Sequence, residues 1–274
     1  MRRILLAALA GLLLILAPFG VTWLRNSWLM GRAMPFRPPP TPPLAGGEHT
    51  RSSEEARQRA QEQFPKTVVR YGDRRQEDVA LTFDDGPDLD YTPRILDVLR
   101  KKRANATFYF TGARTEAYPE VVRQVLREGH EIGNHSFDHP RMAALSAEDI
   151  RYQIGITDDI IQNVTGRRPI TFRPPYGEVS ALVLEQAADL GHLVILWDID
   201  TLDWRGLSKE QILTRALKDL KPGSIILMHS ASGGPKQDLS GTVEALPYLI
   251  DAIRARGFNL VTVSEMHGVF RCCP

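Results

Sequence analysis

Cysteine and net charge are both scarce in this sequence. Its two cysteines, Cys272 and Cys273, are neighbours at the C-terminal end, where a bridge between them would be strained, so no disulfide framework holds the fold. Thirty-four Lys and Arg against 33 Asp and Glu leave a net charge of +1, which removes the electrostatic case for a nucleic-acid partner. Residues 230–234, SASGG, match neither the G-x-S-x-G nor the G-x-x-x-x-G-K-[ST] pattern, so neither a serine nucleophile elbow nor a phosphate loop is indicated there. No internal repeat is present. The chain has 274 residues, 43% hydrophobic and 24% charged, enough for one large globular domain or two small ones.

The N-terminal stretch reads as an address. After Arg2 and Arg3, residues 4–24 carry no charge, about the 20 residues that a membrane-spanning helix needs. No small-residue cleavage site closes the run, and Trp23 suits a membrane interface. An uncleaved anchor over residues 1–30 is therefore favoured over a cleaved signal, with the remainder of the chain outside the membrane. Residues 31–50, containing PFRPPPTPPLAGG, read as an extended proline-rich spacer. Residues 51–75 form a polar lead-in, 76–268 the main domain and 269–274 a tail.

In the main domain, short apolar runs alternate with amphipathic stretches. Strands are predicted over 79–83, 106–110, 130–132, 171–173, 193–199, 224–228 and 260–262. Thr92 with Pro93, Ser146 with Asp149, and Ser208 with Gln211 resemble helix starts, and Gly129, Gly191 and Gly257 resemble helix stops. The alternation predicts a parallel α/β sheet. Roughly 190 residues are too few for a full eight-fold barrel of about 250, so a reduced, distorted (β/α) barrel of about seven strands is expected.

The chemistry-bearing residues then fall at carboxyl ends of strands, the face on which such folds build active sites. Asp84 and Asp85 follow the first strand, Asn134 and His135 the third, Arg173 ends the fourth, Asp200 follows the fifth and His229 the sixth. In NHSFDHP, residues 134–140, His135 and His139 stand four apart; on a helical turn both imidazoles would face one way, although Pro140 argues for a short turn instead. One carboxylate of the Asp pair would complete a two-histidine, one-carboxylate metal set, leaving the other free to take a proton. His130 and His192 begin strands at the opposite end and read as structural, residues 108–110 read as core, and His49 and His267 match no pattern.

Five ordered motifs, TFDDGP at 82–87, NHSFDH at 134–139, FRPPYG at 172–177, DIDTLDW at 198–204 and IILMHS at 225–230, resemble those of the polysaccharide deacetylase family, the NodB-homology group of carbohydrate esterase family 4. The resemblance spans residues 79–267. It implies a distorted (β/α) barrel with one divalent metal, usually Zn2+, that removes N-acetyl groups from amino sugars in peptidoglycan, chitin or related glycans. Carried over by position, it makes Asp85, His135 and His139 the metal ligands, Asp84 the general base and Arg173 its partner. It also makes the Tyr176 N–H an oxyanion donor, His229 the general acid tuned by Asp200, and Trp204, Leu227 and Pro174 substrate-binding residues. With the apolar N-terminal run, the expectation is a bacterial enzyme of the cell membrane whose catalytic domain faces the wall, or a secreted one if the run is cleaved. The competing readings are a chitin or chitooligosaccharide deacetylase, a wall-glycan-binding protein without turnover, and an amidohydrolase of small cyclic amides, which the N-terminal segment disfavours.

Overall fold

The computed structural model describes residues 51–232 and 237–268. The expected anchor, linker and tail, Cys272 and Cys273 included, lie outside the described residues. Among the described residues no helix is long and apolar enough to cross a membrane.

Among the described residues nine strands form: β1 Val68–Val69, β2 Asp78–Asp84, β3 Thr107–Phe110, β4 Glu131–Asn134, β5 Thr171–Phe172, β6 Leu193–Ile195, β7 Ile199–Asp200, β8 Ile225–His229 and β9 Asn259–Leu260. The helices are α1 Arg51–Gln63, α2 Tyr91–Lys102, α3 Gly112–Ala117, α4 Pro119–Arg127, α5 Ala147–Thr165, α6 Ala181–Asp189, α7 Lys209–Lys218, α8 Ser240–Ala255 and α9 Val263–Met266. Every strand pairing is parallel. The path runs β1-β6-β5-β4-β3-β2-β8-β7, with β9 paired to the start of β2. Nine strands replace the expected seven for two local reasons. The Val68–Val69 pair is too short to announce itself, and the run 193–199 breaks at residues 196–198 into β6 and β7.

That break also shows why the sheet curls. β6 and β7 are six places apart on the path, which in a flat sheet is about 29 Å at ~4.8 Å per strand. Only four residue steps join Ile195 to Ile199, a reach of about 14 Å at most. The two ends of the path must therefore bend toward each other, giving an open, distorted barrel.

The pleat sorts the side chains. On β2, Val79, Leu81 and Phe83 join Phe108 and Phe110 of β3, Ile226 and Met228 of β8, and the apolar faces of α2 and α8 in one fully buried cluster. The alternate residues Ala80, Tyr109, Ile225 and Leu227 belong to a second cluster on the other face. Alternation thus places Thr82, Asp84 and His229 on the face opposite the helices α2 and α8.

Helix boundaries follow their local chemistry with two exceptions. Ser208 and Gln211 form a reciprocal capping box at α7. Ser146 caps α5 through the Asp149 N–H, but its hydroxyl donates to the Asp149 carboxylate, so no reciprocal box forms. Thr92 lies inside α2 rather than before it; Asp88 accepts its N–H, freeing the Thr92 hydroxyl to donate to the Ser230 carbonyl. Gly129, Gly191 and Gly257, each at φ 85, follow α4, α6 and α8. His192 is buried against Asp158 at 2.9 Å, and His130 is buried edge-on to Phe108, each immediately before the amino-terminal start of a strand, as expected.

The Phe83–Phe108 stack, 5.1 Å between centroids and fully buried, is central to the helix-facing cluster. Phe108→Ala is expected to cost about 3–5 kcal/mol, measured by urea unfolding; a loss under about 1 kcal/mol would show that this cluster does not carry the fold.

Candidate active site

Two adjacent aspartates at the end of β2 leave in different directions. Asp84 keeps the strand's inward orientation, while Asp85 turns at φ 71, a region that non-glycine residues occupy only when their surroundings hold them there. The turn is tight. A Cβ on Gly86 would stand 2.5 Å from Ser230 Oγ and 2.6 Å from the Phe110 ring, so the glycine after the two aspartates has no room for a side chain.

Asp84 is buried, and its Oδ1 accepts a hydrogen bond from Arg173 Nη1 at 2.8 Å. Arg173 has no solvent exposure. It also donates to Thr82 Oγ1 at 2.8 Å and, at 3.2 Å each, to the carbonyls of Ile195 and Leu196, and it lies 4.2 Å from the Tyr109 ring. Several kcal/mol of desolvation per ion are offset here by the ion pair and these further hydrogen bonds.

Asp85, His135 and His139 bring one ligand atom each to within 4.8 Å of one another. Asp85 Oδ1 lies 3.2 Å from His139 Nε2 and 3.4 Å from His135 Nε2. It is buried and accepts no hydrogen bond among the described residues. His135 Nδ1 is 2.7 Å from the Arg173 carbonyl; since a carbonyl only accepts, Nδ1 carries the proton and Nε2 keeps its lone pair for a cation. Donors about 2.1 Å from a tetrahedral ion lie about 3.4 Å apart, so the spacing, the orphaned oxygen and the imposed tautomer all fit a divalent metal. Burial alone would raise the Asp85 carboxyl, but His139 and His135 outweigh it and hold it well below the usual carboxylate range.

The histidines sit on a short turn, not a helix. Ser136 and His139 have φ of 64 and 63. The buried Asn134 side chain fixes the entry, accepting the Ser136 N–H at 2.8 Å and donating to the Ile154 carbonyl and to Asp158 Oδ1. Asp158 is itself fully buried against His192 and Arg168.

Across the site, the β2–β8 register sets His229 beside Asp84. Its Nδ1 is 2.7 Å from Asp203 Oδ1. Asp203 also accepts from the His229 and Trp204 backbones and from Thr242 on α8. This corrects the expectation for Asp200. Asp200 pairs in register with Leu227, two residues short of His229, and accepts the Leu202 N–H at 2.8 Å. Leu202, at φ 53, then turns the chain so that the second aspartate of DIDTLDW reaches the imidazole. Burial pulls the His229 pKa down, but Asp203 outweighs it, with Asp85 and Asp84 adding, so it is pushed up to about 10.

Tyr176 occupies a tight turn at φ 60, closed by the Gly177 and Glu178 N–H groups donating to the Pro174 and Pro175 carbonyls. Its ring meets His139 edge-on at 4.7 Å. Burial, then Asp85, raises its phenol above the ordinary range. Pro174 and Leu227 are buried; Trp204 is half-buried beside Asp203.

Residues 71–195 match the model of a family described as polysaccharide deacetylase. The chain is 41% identical over 189 residues to a peptidoglycan-N-acetylglucosamine deacetylase of Bacillus cereus, covering 69% of this chain and 68% of the relative. It is 36% identical to a chitooligosaccharide deacetylase of Azorhizobium caulinodans, over 68% of this chain and 92% of that one. This chain belongs to the polysaccharide deacetylase family. A solved peptidoglycan N-acetylglucosamine deacetylase superposes with a TM-score of 0.72 at 36% identity, covering 76% of this chain and 95% of that one. The polysaccharide deacetylases named here are hydrolases, and this chain is an enzyme of their class.

A raised His229 pKa favours the folded state while the ring is protonated. That stabilisation is complete below 6.5 and is lost as the pH climbs through about 10. An imidazole NMR titration of the metal-stripped protein should place His229 well above 6.5, and Asp203→Asn should lower it. An unchanged titration in the variant would show that Asp203 is not the cause.

Proposed function

We propose that this protein hydrolyses N-acetyl groups from amino sugars of a cell-wall polysaccharide, with peptidoglycan as the substrate. The observation that supports this most is the Asp85–His135–His139 cluster, its ligand atoms within 4.8 Å of one another, flanked by an Arg-held carboxylate, Asp84, and an Asp-held imidazole, His229.

Asp85, His135 and His139 would hold a divalent ion, zinc by the chemistry of mixed imidazole and carboxylate donors. When bound, such an ion lowers the pKa of water and polarises the substrate carbonyl. Asp84 is the general base: Arg173 occupies its Oδ1, and Oδ2, 3.7 Å from His135 Nε2, remains to accept the proton of the attacking water. The Tyr176 N–H donates to the oxyanion that develops on the acetyl oxygen. His229, with Nδ1 committed to Asp203, gives a proton from Nε2 to the departing amine, and Asp203 keeps it charged until then. Trp204 and Leu227 would form the apolar pocket for the acetyl methyl, with Pro174 a further substrate contact.

A chitooligosaccharide substrate is the second reading, favoured by the similarity to the Azorhizobium enzyme. The uncharged run 4–24 and the proline-rich 31–50 stretch support an anchored protein with residues 76–268 reaching the wall from outside the bacterial membrane.

Acetate release by the zinc-loaded protein from purified peptidoglycan and from chitin oligomers tests the proposal. Zinc-dependent release, faster from peptidoglycan and lost in the metal-stripped protein, is expected. Preference for chitin oligomers would select the second reading, and no release from either by a folded, zinc-binding protein would leave a glycan-binding role in place of catalysis.

A further inference from the structure

The metal-ligand turn and the Tyr176 turn meet outside the ligand cluster, through two residues without a role so far. Arg141 stands two positions after His139, and Glu178 two after Tyr176. Arg141 Nη1 pairs with Glu178 Oε1, and its guanidinium carbon lies 4.7 Å from the centroid of the Tyr176 ring. The edge-on contact of that ring with His139, at 69° between planes, completes a three-member row of guanidinium, phenol and imidazole. Both Tyr176 and His139 have positive φ, conformations that need support from their neighbours.

We propose that Arg141 is a positioning residue: gripped by Glu178, its guanidinium clamps the Tyr176 ring against His139 and so fixes the Tyr176 N–H relative to the metal ligands. The oxyanion part of this rests on the proposed deacetylase mechanism; the contact with His139 does not. A planar guanidinium can lie on the ring and fork toward Glu178 together, whereas an ammonium keeps the charge and loses the planar stack. Glu178 already neutralises the guanidinium, which argues against Arg141 as the seat of an anionic substrate group. The Arg141 side chain is 56% exposed, so replacing it removes the clamp without opening the core.

The test uses the full chain with Arg141→Ala and Arg141→Lys, and reads zinc affinity by competition with a chromophoric chelator alongside steady-state acetate release. In Arg141→Ala, zinc should bind about threefold more weakly and kcat should fall about fivefold with KM within about twofold, the scale of one exposed cation–π contact and its ion pair. Arg141→Lys should fall between the variant and the wild type. Zinc affinity equal to wild type in Arg141→Ala, or a loss confined to KM, overturns the clamp; the latter would make Arg141 a substrate contact. If the wild-type chain releases no acetate, the deacetylase reading fails by itself, and the zinc measurement still decides whether Arg141 supports His139.

Discussion

The ion pair between Arg173 and Asp84 joins opposite sides of the barrel and orders most of what surrounds it. The guanidinium arrives from the end of β5, binds the carbonyls of Ile195 and Leu196 at the end of β6, and crosses to Thr82 and Asp84 on β2. A sheet bent by the short link between β6 and β7 has polar groups at its open end that water reaches poorly. One fully buried cation satisfies four of them. Its own backbone carbonyl then sets the tautomer of His135, so the same residue that holds the base also turns a metal-ligand nitrogen outward.

The polar residues form layers behind the site. Asp158 holds Asn134, and Asn134 holds the Ser136 turn on which His135 and His139 sit. On the other side Thr242 holds Asp203, and Asp203 holds His229. Five of the six non-glycine residues with positive φ among the described residues, namely Asp85, Ser136, His139, Tyr176 and Leu202, lie in these site turns; Arg103, at the end of α2, is the other. Strain gathered in one place needs a rigid frame, and the close-packed strands and α2 and α8 provide it.

Much of this was legible in the sequence, because strand ends and turn residues are local signals. The alternation of apolar runs gave the parallel α/β class, and the polar residues after each run marked the face where they converge. Asp203 was hidden because its role depends on a left-handed turn at Leu202 that sends it past the nearer Asp200; the Asp-Trp pair that ends DIDTLDW was the available signal. Asp158 was hidden as well, since an aspartate inside a long helix looks solvated until α5 packs on β4. Arg141 and Glu178 belong to contacts between loops, which no periodicity reports.

A double-mutant cycle of Arg173→Met and Asp84→Asn, read by urea unfolding of the metal-stripped protein, measures how far the two ions depend on each other. Breaking one partner of a buried pair costs about 3–5 kcal/mol, because the other ion is left without compensation. A loss of that size is expected for Arg173→Met, with much of it recovered in the double variant and a coupling of about 2 kcal/mol or more. Additive losses, with coupling under about 0.5 kcal/mol, would contradict it and would mean that Arg173 and Asp84 are neighbours in the barrel without depending on each other.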